Sequence, residues 1–205
     1  MENNIVLYGA SGHCKVIIDI LQANNQQISF IVDDDPKIEK IFDLKVYKLS
    51  DFNFVKKQEM IITIGNNKIR KKLSKLLNVN FVQAIHPKAI ISKHTSLGKG
   101  TVVMAGAVIN SDVIIGNHCI INSGAIIEHD CVISDYAHIA PNTALAGNVL
   151  VKEGAQVGIG ASVIQGLTIG KWSVIGAGSV IIRDVPDFAK VVGNPGQILN
   201  YNNDL

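Results

Sequence analysis

The sequence is poor in aromatic residues and has no long apolar run. The first shortage indicates the kind of secondary structure, and the second argues against a membrane protein. Aromatic side chains make up only 5% of the 205 residues, although hydrophobic residues make up 47%. The apolar content is therefore mostly Ile, Val, Leu and Ala, which is typical of a structure with many short β-strands. The longest uncharged stretch, residues 154–170, contains five glycines, so we expect no membrane span.

Cysteine is also scarce, and charge of one sign does not dominate. The three cysteines, Cys14, Cys119 and Cys131, lack the paired spacing of a zinc site, so we expect reduced, buried thiols in a cytoplasmic protein. The N-terminus lacks the basic and apolar segments of a secretory signal. A formal net charge of +2 gives no reason to expect a nucleic-acid partner.

A six-residue repeat organises the chain from residue 89 onwards. Sixteen consecutive blocks can be written, in which the first position is mostly small and the third is always aliphatic. A period of six is not a helix period, and it is three times the strand period, so it predicts short strands and turns that stack as a β-solenoid. The third-position residues, which we expect to point inward, are Ile91, Leu97, Val103, Ile109, Ile115, Ile121, Ile127, Ile133, Ile139, Leu145, Val151, Val157, Val163, Ile169, Ile175 and Ile181.

Residues 1–86 have a different pattern, in which apolar strand-like segments alternate with helix-like segments and glycine turns. This alternation predicts a small parallel α/β domain. We place the boundary near His86 and Pro87, so that residues 87–205 form the solenoid and a C-terminal tail. The basic run 68–75 is interpreted as the solvated face of a helix. Its apolar stripe would consist of Ile69, Leu73, Leu76 and Leu77.

The α/β domain carries a candidate nucleotide site. The segment GASGH (9–13) joins the first strand to the first helix, and backbone N–H groups at such a turn favour a phosphate. Asp33 and Asp34 end the next strand, where carboxylates can accept hydrogen bonds from ribose hydroxyls or a base N–H. Gly65 opens a second glycine turn on the same edge of the predicted sheet. These features predict nucleotide or nucleotide-sugar binding, with a purely structural cap as the alternative.

The repeat assigns places to several polar residues in the solenoid. His129 follows the inward Ile127 by two positions, so it should lie near a corner, with Asp130 beside it. A carboxylate next to an imidazole orients the ring and raises its proton affinity, as a general base requires. A solvated corner without chemistry is the alternative.

Other histidines carry weaker expectations. His118 ends its block and should face solvent, and His94 should stack with Asp112 and Asp130 on one edge. No two histidines lie closer in sequence than His86 and His94, so we expect no metal site.

Together these motifs resemble the bacterial hexapeptide-repeat sugar acetyltransferases that have an N-terminal nucleotide-sugar-binding domain. That group includes the UDP-4-amino-sugar N-acetyltransferase of the bacillosamine pathway, the perosamine N-acetyltransferases and sialic acid O-acetyltransferase-like proteins. The resemblance implies a left-handed parallel β-helix of triangular section with about 18 residues per coil. The segments that carry it are YGASGH (8–13), VDDD (32–35), IGNNKIRKKL (64–73), the hexads, IEHDC (127–131), AHIAP (137–141), AGNV (146–149) and VVGNP (191–195).

The resemblance also implies a cosubstrate, an assembly and residue roles. Acetyl-CoA is the implied donor, and the implied assembly is a homotrimer with active sites between adjacent β-helices. His129 matches the general base and Asp130 the acid that tunes it, which is often Glu in the family. His138 matches a histidine near the thioester. Ile159 and Ala177 match positions whose backbone contacts the coenzyme's arm. Six residues match the nucleotide-sugar pocket: Ser11, Gly12, His13, Asp33, Asp34 and Gly65.

The expected reaction is N-acetylation of a nucleotide-linked 4-amino sugar in bacterial surface-glycan biosynthesis, by direct transfer. O-acetylation of sialic acid or another surface sugar, and a non-catalytic trimeric scaffold that binds nucleotide sugars, are the alternatives. His129 and His138 are nine residues apart, which is half a coil, so they should lie on opposite sides of one prism. If both serve catalysis, the site must be shared between two chains.

Overall fold

The computed structural model describes residues 4–52, 54 and 57–201. The start of the predicted first domain and the end of the predicted tail therefore lie outside the described residues. The elements of the first domain are β1 (Ile5–Tyr8), α1 (Gly12–Ala23), β2 (Ile28–Asp33), β3 (Lys40–Ile41), β4 (Leu44–Lys48), a short 3₁₀ helix (Leu49–Asp51), β5 (Glu59–Ile62), α2 (Asn67–Leu76) and β6 (Asn80–Phe81).

These strands form one sheet in the order β3-β4-β2-β1-β5-β6. Every pair is parallel except the β3–β4 hairpin. Because β1 lies between β2 and β5, the segments that follow these three strands meet at the carboxyl edge of the sheet. The predicted α/β domain is therefore confirmed, and its glycine turns and aspartates are on one edge.

The rest of the chain is a three-sided solenoid of two-residue strands, each paired in parallel with the strand one coil further on; Ile109, for example, pairs with Ile127. We call its sides face 1, face 2 and face 3. Face 1 contains β7 (Ala84–Ile85), β10 (Val102–Val103), β13 (Ile120–Ile121), β16 (His138–Ile139), β19 (Gln156–Val157) and β22 (Val174–Ile175). Face 2 contains β8 (Ile90–Ile91), β11 (Val108–Ile109), β14 (Ile126–Ile127), β17 (Ala144–Leu145), β20 (Ser162–Val163) and β23 (Val180–Ile181).

Face 3 contains β9 (Ser96–Leu97), β12 (Ile114–Ile115), β15 (Val132–Ile133), β18 (Leu150–Val151) and β21 (Thr168–Ile169). Face 1 is extended by β24 (Ala189–Val192), on which β25 (Gln197–Tyr201) folds back antiparallel. The first corner joins faces 1 and 2, the second joins faces 2 and 3, and the third joins faces 3 and 1. The predicted left-handed parallel β-helix is confirmed.

The aliphatic position of the repeat forms the core of the β-helix. Fourteen of the sixteen third-position residues are buried in one cluster, and Ile91 and Leu97 pack against it at the N-terminal end. Each burial stabilises the fold by about 1.5–3 kcal/mol, so this single position of the repeat largely determines the architecture. Left-handed backbone makes the tight corners possible, as at Asp112, Asp130 and Asn148 on consecutive coils of the second corner.

The two domains share a hydrophobic core. Buried residues of α1, among them Ile17 and Leu21, belong to the same cluster as Ala84, Val102 and Ile120 on face 1. The α/β domain therefore lies directly on face 1, over its first three rungs.

Helix α2 docks on the third corner by a polar side. The predicted solvated face of the basic run is therefore only partly right, because Lys68, Lys72 and Lys75 are exposed but Arg70 is buried. Arg70 is only 1% exposed, whereas Ile69 is 46% and Leu76 67% exposed. The expected apolar stripe is reduced to Leu73, which is buried, and Leu77, which is partly buried. The hydrophobic period misleads here because the acceptors for Arg70 are backbone carbonyls of distant coils, which a local sequence pattern does not reveal.

His118 was also expected in solvent, and this prediction was wrong. It is 2% exposed, because the α/β domain covers the third corner. Its ring stacks on Tyr136 with a centroid distance of 5.7 Å and meets Phe81 edge-on at 4.6 Å.

The three cysteines are buried and unpaired. In the ranges that the structure describes, no helix is long and apolar enough to cross a bilayer.

Candidate active site

The second corner carries His129 and Asp130 immediately after β14. The Nδ1 atom of His129 lies 2.7 Å from Oδ2 of Asp130, so the proton on Nδ1 is held by the carboxylate and Nε2 remains the basic nitrogen. This hydrogen bond, with the charges of Asp130 and Glu128, raises the pKa of His129 above its ordinary value. Both side chains are more than half exposed, so a substrate or a second chain can reach the pair.

The neighbours of this pair extend along the same corner. Glu128 accepts a hydrogen bond of 2.7 Å from Nδ2 of Asn110, one coil earlier. His94, Asp112 and Asp130 lie on this corner one coil apart, as expected, and Asp112 and Asp130 have the same left-handed backbone. Glu128 therefore has a structural partner, while Asp130 is the carboxylate that holds the imidazole.

Exposed aliphatic residues flank the second corner on both faces. Ile90 and Ile126 on face 2 are 67% and 40% exposed, and Ile114 and Val132 on face 3 are 53% and 36% exposed. Exposed apolar patches of this kind are typical of a protein–protein interface. The imidazole of His129 is thus placed between two surfaces suited to another protein chain.

His138 lies on face 1, on the rung after Ile120. Burial, reinforced by the charges of Arg70 and His13, lowers the pKa of His138 from 6.5 to about 3. Asn122 Nδ2 lies 3.2 Å from His138 Nε2 and donates to it, so the proton of the neutral ring is on Nδ1. The second corner is the corner opposite face 1, so His138 and His129 of one chain do not meet.

His13, in the first turn of α1, is electrostatically coupled to His138. Burial and the charge of Arg70 lower the pKa of His13 from 6.5 to about 4. Its Nε2 atom is buried and has no hydrogen-bond partner among the described residues. The structure therefore brings together two neutral histidines that the sequence placed in different sites, one for the sugar nucleotide and one for acetyl-CoA.

The aspartates after β2 hold the glycine turn in place. Asp33 accepts a hydrogen bond of 2.8 Å from the backbone N–H of Ala10 and another from that of Asp35. Asp34 accepts from the hydroxyl of Tyr8 at 2.7 Å. The two carboxylates were predicted to contact a ligand, and the structure also gives them this internal role.

The turn itself is open on its outer side. Ser11 and Gly12 are exposed, and Ser11 precedes α1 without using its hydroxyl as a cap. A Cβ atom added to Gly12 or to Gly65 would meet no atom within 4 Å. The carboxyl edge of the sheet therefore has free space beside unused hydroxyl and N–H groups, as a bound phosphate requires.

Ile159 and Ala177 lie one above the other on the first corner. Both are exposed, and the N–H of Gly178 donates to the carbonyl of Ile159 at 2.8 Å. This is the corner that also holds Asn122, next to His138.

Across the described part of the chain, no three His, Cys, Asp or Glu side chains are placed to hold a metal ion.

Sequence reasoning missed three residues of this region: Asn122, Gly147 and Arg70. Gly147 lies one coil after His129 on the second corner, inside the AGNV segment. The six-residue repeat could have located Asn122, because this residue directly follows the inward Ile121 on the coil before His138. No sequence signal pointed to the burial of Arg70.

Comparisons with known proteins agree with this geometry. The PglD N-terminal domain matches residues 4–77, and the bacterial transferase hexapeptide (six repeats) matches residues 94–129. UDP-N-acetylbacillosamine N-acetyltransferase of Bacillus subtilis is 41% identical over 118 residues, which cover 50% of this chain and 51% of that protein. The match thus spans only about half the length of this curated relative.

Solved structures match over nearly the whole chain. A histidine-to-asparagine mutant of perosamine N-acetyltransferase from Caulobacter crescentus, in complex with CoA and GDP-perosamine, is 38% identical with a TM-score of 0.90, covering 96% of this chain and 97% of that one. The acetyltransferase domain of PglB from Neisseria gonorrhoeae, in complex with acetyl coenzyme A, is 31% identical with a TM-score of 0.89, covering 97% and 100%.

Proposed function

Because the chain belongs to the hexapeptide-repeat nucleotide-sugar N-acetyltransferases, we propose that it transfers the acetyl group of acetyl-CoA to the amino group of a nucleotide-linked 4-amino sugar. The observation that carries this proposal is the match of both domains to perosamine N-acetyltransferase at 38% identity, together with the His129–Asp130 pair. The product would be an N-acetylated sugar nucleotide for bacterial surface-glycan synthesis.

The nucleotide-sugar site is proposed at the carboxyl edge of the α/β sheet. The exposed turn at Ser11 and Gly12 and the free space beside Gly65 suit the phosphates, and Asp34 keeps carboxylate surface for the nucleoside. Since this edge lies against face 1 next to His13 and His138, a sugar attached to the phosphates points toward the β-helix. This geometry supports a nucleotide-linked acceptor over a free sugar.

The acetyl-CoA site is proposed along the first corner. His138 would lie near the thioester, while the exposed backbones of Ile159 and Ala177 provide a straight edge for the coenzyme's arm. A neutral His138, its Nε2 occupied by Asn122, offers an N–H at Nδ1 rather than a base. Such a group can stabilise negative charge but does not remove a proton.

His129 is the proposed general base. Its Nε2 atom takes a proton from the amine as the amine nitrogen attacks the thioester carbon, and Asp130 stabilises the imidazolium. Backbone N–H groups stabilise the oxyanion. The C–S bond then breaks, and the imidazolium returns the proton to the leaving thiolate, so that CoA is released as the thiol. No covalent acyl-enzyme is required, since the three cysteines are buried.

A homotrimer is part of the proposal, because His129 and His138 of one chain lie on opposite sides of the β-helix. The aliphatic patches on faces 2 and 3 support threefold packing, which would bring His129 of one subunit toward the first corner of the next. We also propose that the enzyme acts in the cytoplasm, where its unpaired thiols would remain reduced.

The proposed activity can be tested by thiol release from acetyl-CoA with GDP-perosamine, a UDP-linked 4-amino sugar, a dTDP-linked 4-amino sugar and free sialic acid as acceptors. Turnover with one of the nucleotide-linked amines, and little with sialic acid, is the expected result. Replacement of His129 by Ala should reduce kcat by about 10²–10⁴-fold without changing the trimer. Turnover with sialic acid alone would instead favour the O-acetyltransferase, and binding of nucleotides without acetyl-CoA would favour a scaffold.

A further inference from the structure

Arg70 is a buried cation without a counter-ion. Its side chain is 1% exposed, and no carboxylate of the described residues forms an ion pair with it. Burial lowers the pKa of the guanidinium to about 10. An unpaired buried charge is costly, so the contacts of this residue require an explanation.

All five N–H groups of the guanidinium have an oxygen acceptor. Nε donates to the carbonyl of His118 at 2.7 Å, and Nη1 donates to the carbonyls of Ile64 and Gly65, both at 3.1 Å. Nη2 donates to Oδ1 of Asn67 and to the carbonyl of Tyr136, both at 2.9 Å. Lysine has only three donors, so no other side chain can satisfy this arrangement.

The four carbonyl acceptors belong to three separate backbone segments. Ile64 and Gly65 form the second glycine turn, which we assign to the nucleotide edge. His118 and Tyr136 lie on consecutive coils of the third corner, and Tyr136 is two residues before His138. One planar group therefore fixes the nucleotide turn of the α/β domain against the rung of the β-helix that carries His138.

The rest of α2 continues the same attachment. Nδ2 of Asn67 donates to the carbonyl of Gly154 at 3.1 Å, Lys71 pairs with Glu153, and Ser74 Oγ lies 3.0 Å from the hydroxyl of Tyr136. Lys71 and Ser74 are only partly buried, so their links alone are weaker. Arg70 is the buried centre of this interface, and it also bonds to the glycine turn.

We propose that Arg70 is a positioning residue: it aligns the nucleotide-binding turn at Ile64 and Gly65 with the rung of His138, so that the sugar amine reaches the acetyl group. The proposal rests on the proposed function, because it assigns the sugar nucleotide to the α/β domain and the acetyl group to the β-helix. A misplacement of about 1 Å between reacting groups can cost on the order of 10²-fold in rate, which is the scale of the effect expected here.

The test compares Arg70→Gln and Arg70→Lys with Lys72→Gln, which alters an exposed residue of the same helix. With GDP-perosamine or the UDP-linked 4-amino sugar as acceptor, we expect kcat/KM for the acceptor to fall by about 10²-fold in R70Q and about tenfold in R70K. The Kd for CoA, whose proposed site lies on another corner, should stay within about twofold, and K72Q should behave as the wild type. R70K provides the measurement if R70Q does not fold.

Two results would overturn the positioning role. The first is a kcat/KM for the acceptor in folded R70Q that equals the wild-type value. The second is a loss of CoA affinity as large as the loss in kcat/KM for the acceptor, because it would indicate that Arg70 only maintains the fold. Hydrogen–deuterium exchange tests the role without turnover, since R70K should accelerate exchange in residues 62–69 and 134–140 but not in 156–164. If the wild type acetylates none of the amines, the proposed function fails, and unchanged exchange in R70K would separately refute the role of Arg70.

Discussion

The imidazole of His129 lies against the backbone of Gly147, one coil further along the second corner. A Cβ atom at residue 147 would come within 2.7 Å of Cε1 and 2.8 Å of Nε2 of His129. The N–H of Asn148 also donates to the carbonyl of His129 at 2.9 Å. The absence of a side chain at Gly147 is therefore what allows the ring to occupy its position beside Asp130.

Gly147→Ala should displace the imidazole and lower activity. Residue 147 does not have the left-handed backbone that favours glycine, so the effect comes from the contact with His129 rather than from backbone strain. We expect kcat to fall by about 10–10²-fold, without a change in the proposed trimer. The measurement is steady-state turnover of the single variants H129A and G147A and of the double variant. If Gly147 acts through His129, G147A should cost almost nothing more in the H129A background, and additive losses would contradict this.

Asp130→Asn should move the pH dependence of turnover to lower pH. The carboxylate of Asp130 raises the pKa of His129, and an amide can keep the hydrogen bond while removing the charge. Because the base must be neutral, a lower imidazole pKa shifts the acidic limb of the kcat/KM profile to lower pH, while the weaker base lowers the plateau by about tenfold. Asp112→Asn, on the same corner one coil earlier, is the matched control. An acidic limb that does not move in D130N would remove Asp130 from this role.

The fold was predictable from the sequence because one position of the hexad forms the whole core. Ile127 was assigned inward by counting alone, and this also placed His129 at a corner. By contrast, the burial of His118 and Arg70 depends on the contact between the two domains. That contact involves His118 and Tyr136 of the third corner, whose carbonyls accept from Arg70, 48 and 66 residues earlier in the chain. No local period of the sequence can therefore predict it. The proximity of His13 to His138 has the same origin.

Acid should destabilise the protein through its buried histidines, and His118→Phe should reduce this effect. Burial lowers the pKa of His118 from 6.5 to about 4, so the unfolded chain binds a proton below pH 6.5 while the folded chain does not. Stability therefore falls as the pH drops from 6.5 toward 4, by on the order of 1–2 kcal/mol at pH 5 for this one histidine. Phenylalanine suits the aromatic contacts with Phe81 and Tyr136 and cannot bind a proton.

The measurement is the difference in Tm between pH 7.5 and pH 5.0. We expect H118F to lose less than the wild type over this interval, with the exposed His94→Asn as control. An equal loss in H118F and the wild type would show that His118 does not contribute to the acid sensitivity.

Subunits that carry His129→Ala should complement subunits that carry His138→Ala. His129 is on the second corner and His138 is on face 1 opposite, so a site that uses both must draw them from two chains. In a cyclic trimer that contains both variants, about a third of the interfaces combine an intact His129 with an intact His138. Mixed trimers, isolated by two different affinity tags after co-expression, should therefore recover about a third of wild-type kcat, while each parent remains at least tenfold lower. Mixed trimers no more active than the parents would exclude a site shared in this way.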